Sequence, residues 1–194
     1  INSNNLNDGT TKFENLNILV LGGSQAARIF ADEFPQIFKK LKDSKIKIKI
    51  YQQCYHSQND QLSKFYKDTK IDFEIFNFTS NILDYYFKSN LVITRSGASV
   101  LGELVNFKIP FISIPLPTSA DNHQYKNAKF YSKRGYGNFL EEKDIKNKLY
   151  DLIVSTFNDK SMLNSILLNQ RQHSDKDIFK NLNNHIEKIL NEKN

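Results

Sequence analysis

Asn17-Ile18-Leu19-Val20-Leu21-Gly22-Gly23-Ser24-Gln25 is the stretch that decides the fold. Four consecutive aliphatic residues after Asn17 read as a short strand buried on both faces, with no polar side to give to solvent. Two glycines end it, which allows a tight turn and a close backbone approach. A helix is predicted from Ala26 to Leu41, because Ile29, Phe30, Phe34, Ile37, Phe38 and Leu41 recur at helical spacing. Pro35 falls inside that stripe and is expected to kink or end the helix. Strand, Gly-Gly turn and helix start form a place where unpaired N–H groups and a partial positive charge meet an anion. The stretch is not the dinucleotide fingerprint, since Ala26-Ala27 stand where a third glycine is needed. Alone, such a turn is equally well a purely structural one.

Outward from this stretch the chain alternates short apolar runs with amphipathic ones. Strands are predicted at Lys45 to Tyr51 (with a start nearer Ile48 relieving its charged face), Ile71 to Phe76, Leu91 to Thr94, Pro110 to Ile114 and Gly137 to Leu140. Helices are predicted at Gln58 to Lys67, Ile82 to Phe87, Gly97 to Val105 and Asp121 to Ser132, with two or three more between Glu142 and Leu190. This alternation predicts an α/β class: a Rossmann-like parallel sheet flanked by helices, joined by right-handed crossovers. Residues 1–16, rich in Asn and Thr, read as a linker or disordered arm, and 17–194 as one domain.

Composition narrows the function classes. The chain has 194 residues, 39% hydrophobic, with 15 Phe and 9 Tyr supplying large buried areas. No run approaches the ~18 apolar residues of a membrane span. The single Cys54 excludes an internal disulfide framework. Net charge is +6, yet only Arg28, Arg95, Arg134 and Arg171 among 27 basic residues are arginine. Base-reading proteins lean on the planar Arg fork, so scattered Lys reads as solvated surface and nucleic acid is not expected as a partner. A basic module binding RNA or a membrane surface is the non-enzymatic alternative, resting on the Lys excess alone. His56, His123, His173 and His185 show no metal-ligand spacing, and no metal is expected.

In a parallel α/β sheet, ligands bind beyond the carboxyl ends of the strands. Three candidate segments lie there. The first is Gly22-Gly23-Ser24. The second, Thr94-Arg95-Ser96-Gly97-Ala98-Ser99, repeats its logic and adds a cation; Glu103 follows about 7.5 Å along the helix axis, a phosphate-to-ribose span. A carboxylate there suits the two ribose hydroxyls; the alternative is a solvated Glu103 paired with Arg95. The third, Pro117-Thr118-Ser119-Ala120-Asp121-Asn122-His123-Gln124, is a polar loop entering a helix that Asp121 or Asn122 would cap.

Together, Leu21-Gly22-Gly23-Ser24-Gln25, Thr94-Arg95-Ser96-Gly97-Ala98 with Glu103, and Asp121-Asn122-His123-Gln124-Tyr125 with Asn127-Ala128 resemble the C-terminal half of the MurG family. These are the peptidoglycan N-acetylglucosaminyltransferases that make lipid II from lipid I. The resemblance runs from about Asn17 to Leu190 and implies one half of a two-domain GT-B fold that binds UDP-N-acetylglucosamine. It implies that Gly23 and Ser24 meet the diphosphate and that Thr79 holds the uracil through its backbone. Ala98, Ser99 and Val100 would present a helix start to the phosphates, with Arg95 nearby. Glu103 would take the ribose hydroxyls, and Gln124, helped by His123, would read the sugar. The implied reaction inverts the anomeric carbon without a metal or other cofactor, at the inner face of the cytoplasmic membrane.

Three departures stand out: Ala26 for a usual Gly, Val100 for a common Thr, and Cys54-Tyr55 for a Gly after the second strand. The chain begins at Ile1, not Met, which suggests a fragment. The family's acceptor domain, which binds lipid I and is expected to hold the catalytic base, is not expected here. No catalytic residue is therefore assigned to this chain, and it is expected to bind the donor without transferring it. The alternative within the same architecture is another UDP-sugar transferase or a UDP-sugar epimerase.

Overall fold

A computed structural model of the protein describes residues 15–23 and 28–173. In chain order it contains β1 (Leu16–Leu21), α1 (Arg28–Asp43), β2 (Ile48–Gln53), α2 (Asn59–Asp68), β3 (Asp72–Phe76) and α3 (Ile82–Lys88). There follow β4 (Leu91–Thr94), α4 (Ala98–Phe107), β5 (Phe111–Ser113), α5 (His123–Lys133), β6 (Asn138–Phe139), α6 (Ile145–Asn158) and α7 (Lys160–Gln172). All six strands are parallel, in the order β3-β2-β1-β4-β5-β6. The sequence order reverses between β1 and β4, which makes their carboxyl ends the switch point of the sheet.

β1 shows why its residues from Ile18 to Leu21 had to be apolar. Side chains alternate across a sheet, so Leu16, Ile18 and Val20 enter one core with Phe30, Phe34 and Phe38 of α1 and Leu149 and Ile153 of α6. Leu19 and Leu21 enter the other with Tyr86 of α3 and Leu101, Leu104 and Val105 of α4. With a core on each face, no position from Ile18 to Leu21 tolerates charge; Asn17 lies in neither core and bonds Asn90 and the Lys88 carbonyl.

Four local expectations change. α1 does not end at Pro35 but runs on to Asp43. The missing hydrogen bond and ring crowding cost about 3 kcal/mol, and burial of a large apolar side chain returns about 1.5–3 kcal/mol each. Phe30 stacks on Phe34 at 4.5 Å and Phe34 meets Phe38 edge-on at 5.7 Å, so the stripe outweighs the proline. β2 begins at Ile48 and extends to Gln53, past the predicted end. Gln52 is wholly buried there and accepts a hydrogen bond from Tyr66 Oη at 2.5 Å. Asp121 and Asn122 both adopt left-handed backbone (φ 48° and 52°), and neither side chain caps α5. Ser119 Oγ takes that part, accepting from the Gln124 N–H at 3.4 Å. Finally, Leu16 belongs to β1, so the strand starts one residue before the predicted domain boundary. The rest of the predicted arm, and the predicted helical segment beyond α7, lie outside the described residues. No helix among the described residues is long and apolar enough to cross a membrane.

Candidate functional site

The strand order brings the three predicted segments to one place. Leu21 and Thr94 are register partners, and the Arg95 N–H continues the ladder to the Leu21 carbonyl at 3.2 Å. The Ile114 N–H does the same to the Thr94 carbonyl at 2.8 Å. The loops after β1, β4 and β5 are thus held side by side. Above them opens a cavity of about 370 Å³. Leu21, Gly23, Thr94 and Arg95 line it from the switch point; Gln53, Phe76, Phe78, Thr79 and Ile82 from the β2–β3 side; Gly97, Val100 and Gln124 from α4 and α5.

Gly23 has φ 76°, a left-handed conformation that a side chain disfavours. The turn therefore requires glycine for its backbone. Ser24, like Ala26, lies outside the described residues. The first intrahelical bond of α4 runs from the Leu101 N–H to the Gly97 carbonyl at 3.1 Å. The N–H groups of Ala98, Ser99 and Val100 hence have no acceptor within the helix. Ala98 and Ser99 are exposed, and Gly97 offers no side chain to cap them. That is the geometry of an anion-binding helix start. Val100 contributes its N–H and an apolar wall, not a hydroxyl.

Gln124 is oriented by its neighbours. Its Oε1 accepts from the Leu116 N–H at 3.0 Å and the Ser96 N–H at 3.3 Å. Two backbone donors at one atom identify it as the oxygen, which leaves Nε2 to donate. The same side chain ties the β4 and β5 loops together, and Asn127 Nδ2 adds a bond to the Ser96 carbonyl at 3.0 Å. His123 is exposed, does not line the cavity, and holds Nδ1 2.8 Å from the Ala120 carbonyl. Thr79 lines the cavity while its Oγ1 accepts from the Asn81 N–H at 3.0 Å.

Arg95, expected as a cation near the phosphates, lines the cavity with its charge already paired. Its guanidinium lies 2.5 Å from Glu142, donates to the Ile114 and Pro115 carbonyls at 3.3 and 3.2 Å, and stacks over Phe30 at 4.7 Å. Its charge is met inside the fold, and it braces the β4 and β5 loops against the turn before α6. Nor does it pair with Glu103. Glu103 is exposed on α4, one turn beyond Val100, and its Oε2 accepts from Tyr86 Oη at 2.9 Å.

The sequence had not singled out Gln53, Phe76, Ile82, Glu142 or Tyr86. Gln53 and Phe76 are the carboxyl-terminal residues of β2 and β3, so a strand-end rule finds them once those ends are known. Glu142 and Tyr86 leave no local signal. The departure at Cys54-Tyr55 costs no backbone strain: Tyr55 is extended (φ −71°, ψ 150°) and needs no glycine. Cys54 is buried, donates to Asn59 Oδ1 at 3.1 Å, and burial pushes its thiol up to about 11. Asn77 Nδ2 bonds the Cys54 carbonyl at 2.9 Å, which pins the segment leading to Phe78 and Thr79. Among the described residues no group of three or more His, Cys, Asp or Glu is placed to hold a metal ion.

Residues 17–186 match the glycosyltransferase family 28 C-terminal domain. A Pelagibacter ubique protein is 35% identical over 189 residues, covering 97% of this chain and 53% of that protein. A Rickettsia typhi protein is 38% identical over 170 residues, covering 83% and 44%. Both are named UDP-N-acetylglucosamine–N-acetylmuramyl-(pentapeptide) pyrophosphoryl-undecaprenol N-acetylglucosamine transferase. The chain spans about half the length of these curated relatives. The crystal structure of Acinetobacter baumannii MurG superposes with a TM-score of 0.75 at 24% identity, over 90% of this chain and 52% of that one. At that identity the match bears on the fold, which is that of one half of a GT-B enzyme.

Proposed function

This chain belongs to the family of glycosyltransferase family 28 C-terminal domains, and from that premise we propose that it binds UDP-N-acetylglucosamine as the donor half of an inverting N-acetylglucosaminyltransferase acting on lipid I. The observation that carries the reading is the switch-point cavity, which an uncapped α4 N-terminus and an amide with a committed oxygen both border. The uracil enters between Phe78 and the Thr79 backbone. The diphosphate lies against Gly23, Ser24 and the N–H groups of Ala98, Ser99 and Val100, where the helix dipole supplies the positive end. That arrangement calls on no metal or other cofactor. Glu103, one turn along α4, accepts the ribose hydroxyls. Gln124 donates Nε2 to a sugar oxygen, with His123 at the outer edge. Arg95 serves by holding the β4 and β5 loops in place. In the whole protein the lipid-linked acceptor would be met at the inner face of the cytoplasmic membrane, as the pyrophosphoryl-undecaprenol in the relatives' names suggests.

Titration of UDP-N-acetylglucosamine into the chain and into Glu103→Ala tests the reading. Loss of charged hydrogen bonds worth about 1.5–3 kcal/mol weakens binding roughly 10- to 150-fold. Equal affinities would sink the ribose assignment. Comparable affinities for UDP-glucose, UDP-galactose and UDP-N-acetylglucosamine would remove Gln124 and His123 as selective readers.

A further inference from the structure

We propose that Tyr86 is a positioning residue that presents the Glu103 carboxylate to the ribose of a uridine nucleotide. The inference rests on the reading of Glu103 as the ribose acceptor.

Glu103 is an exposed side chain on a helix surface, free to turn about three bonds. Fixing such a chain on a ligand costs rotamer entropy. Tyr86 removes part of that cost before the ligand arrives. It is 2% exposed, in the core between α3 and α4 with Leu101, Leu104 and Val105, and its ring lies 5.8 Å from that of Phe107. A ring so confined has few positions for its hydroxyl. That hydroxyl donates to Glu103 Oε2 at 2.9 Å. The phenol remains a donor throughout the working pH range, because burial and then the contact with Glu103 both raise its ionisation above the ordinary value.

The stoichiometry of the carboxylate leaves room for the ligand. An ionised carboxylate offers about four lone-pair sites. Tyr86 occupies one on Oε2, and Oε1 remains open for the vicinal hydroxyls. Glu103 also sits three residues after Val100, on the same side of α4, and Val100 lines the cavity. The anchored carboxylate is therefore held one turn beyond Val100 on that side of the helix, outside the residues that line the cavity. In a core position shared with Leu and Val, phenylalanine would pack as well as tyrosine. The hydroxyl is the part that needs a reason.

The test uses two probes, UDP and 2′,3′-dideoxy-UDP, which differ only in the ribose hydroxyls. Isothermal titration is run on the wild-type chain, Tyr86→Phe, Glu103→Ala and the double variant. The expected result is a roughly 2- to 10-fold loss of UDP affinity in Tyr86→Phe, part of the ordering cost of one long side chain. Affinity for 2′,3′-dideoxy-UDP is expected to be unchanged by that substitution, and Tyr86→Phe is expected to add nothing on the Glu103→Ala background. A general loosening of the core would weaken both probes alike, and that outcome overturns the proposal. Loss in Glu103→Ala with none in Tyr86→Phe overturns the positioning role and leaves the ribose assignment standing. No loss in Glu103→Ala overturns both. Thermal unfolding of each variant separates these outcomes from misfolding, and Tyr86→Met, a smaller and flexible side chain with no hydrogen-bond donor, repeats the comparison if Tyr86→Phe does not fold.

Discussion

Gln124 illustrates how backbone groups can decide what a side chain says to a ligand. With its oxygen held by Ser96 and Leu116, it has only N–H to offer. Gln124→Glu keeps the shape and both backbone contacts, but the second carboxylate oxygen cannot donate and carries charge towards a diphosphate. Affinity for UDP-N-acetylglucosamine is expected to fall by roughly 10-fold or more, in keeping with about 1.5–3 kcal/mol for a hydrogen bond with a charged group. Titration of the two proteins at equal ionic strength checks this, and an unchanged Kd removes Gln124 from the ligand. Gly23 works through the backbone instead. A Cβ there would meet Arg95 Cβ at 4.0 Å, an ordinary contact, so no clash opposes Gly23→Ala. The left-handed φ of 76° does oppose it, at about 1–2 kcal/mol. Urea denaturation is expected to show that loss with an unchanged slope. Both residues were legible in the sequence, since each follows a strand with the chemistry of a binding loop. Arg95 was legible as important but not as buried: Glu142 lies 47 positions away, and nothing local announces the pair.

At the scale of elements, legibility follows burial. The central strands β4 and β5 are buried along their whole length and β1 at every residue but Asn17, so hydrophobicity marks them. The end of β2 escaped because Gln52 and Gln53 look like loop. In the strand Gln52 Oε1 accepts from Tyr66 and Gln53 Nε2 donates to the Asn77 carbonyl, partners that only the fold supplies, while the buried Gln52 Nε2 has none among the described residues. The proline of α1 misleads for the opposite reason: a local penalty was visible, while its compensation by a stacked aromatic stripe depended on the sheet beneath it. The short edge strand β6 rests on a steric condition of the same long-range kind. A Cβ at Gly137 would stand 2.5–2.6 Å from three ring atoms of Phe111, which is itself fully buried in β5. The ring has no room to retreat, so Gly137→Ala is expected to cost about 1–3 kcal/mol, as overpacked cores do. A lowered denaturation midpoint checks this. Restored stability in the double variant Gly137→Ala/Phe111→Leu would confirm that the ring is the obstacle.

For the whole molecule, periodicity predicts alternating strands and helices, but strand order is what makes a site. Only with β4 beside β1 do Gly23, Gly97 and Gln124 border one cavity, and only then does the turn before α6 reach Arg95. The same packing buries groups that ionise in alkali, and this gives the fold a pH limit on one side. Cys54 moves from an ordinary value of 9.0 to about 11 because burial penalises the thiolate. Tyr85 moves from 10.0 to about 12, through burial first and then its bond to Glu74. In each case the folded chain holds a proton that the unfolded chain releases, so the unfolded state is favoured as pH rises. The contribution of Cys54 is complete below pH 9 and is lost as pH climbs from 9 to about 11; that of Tyr85 is lost from 10 to about 12. Urea midpoints measured at pH 7.5, 9, 10 and 11 are expected to stay level to 9 and then fall. Cys54→Ala should remove the part of the decline that begins at 9 and leave the later part due to tyrosine. A Cys54→Ala variant with the same profile as the parent would show that the thiol stays out of the titration, and that another buried group sets the limit.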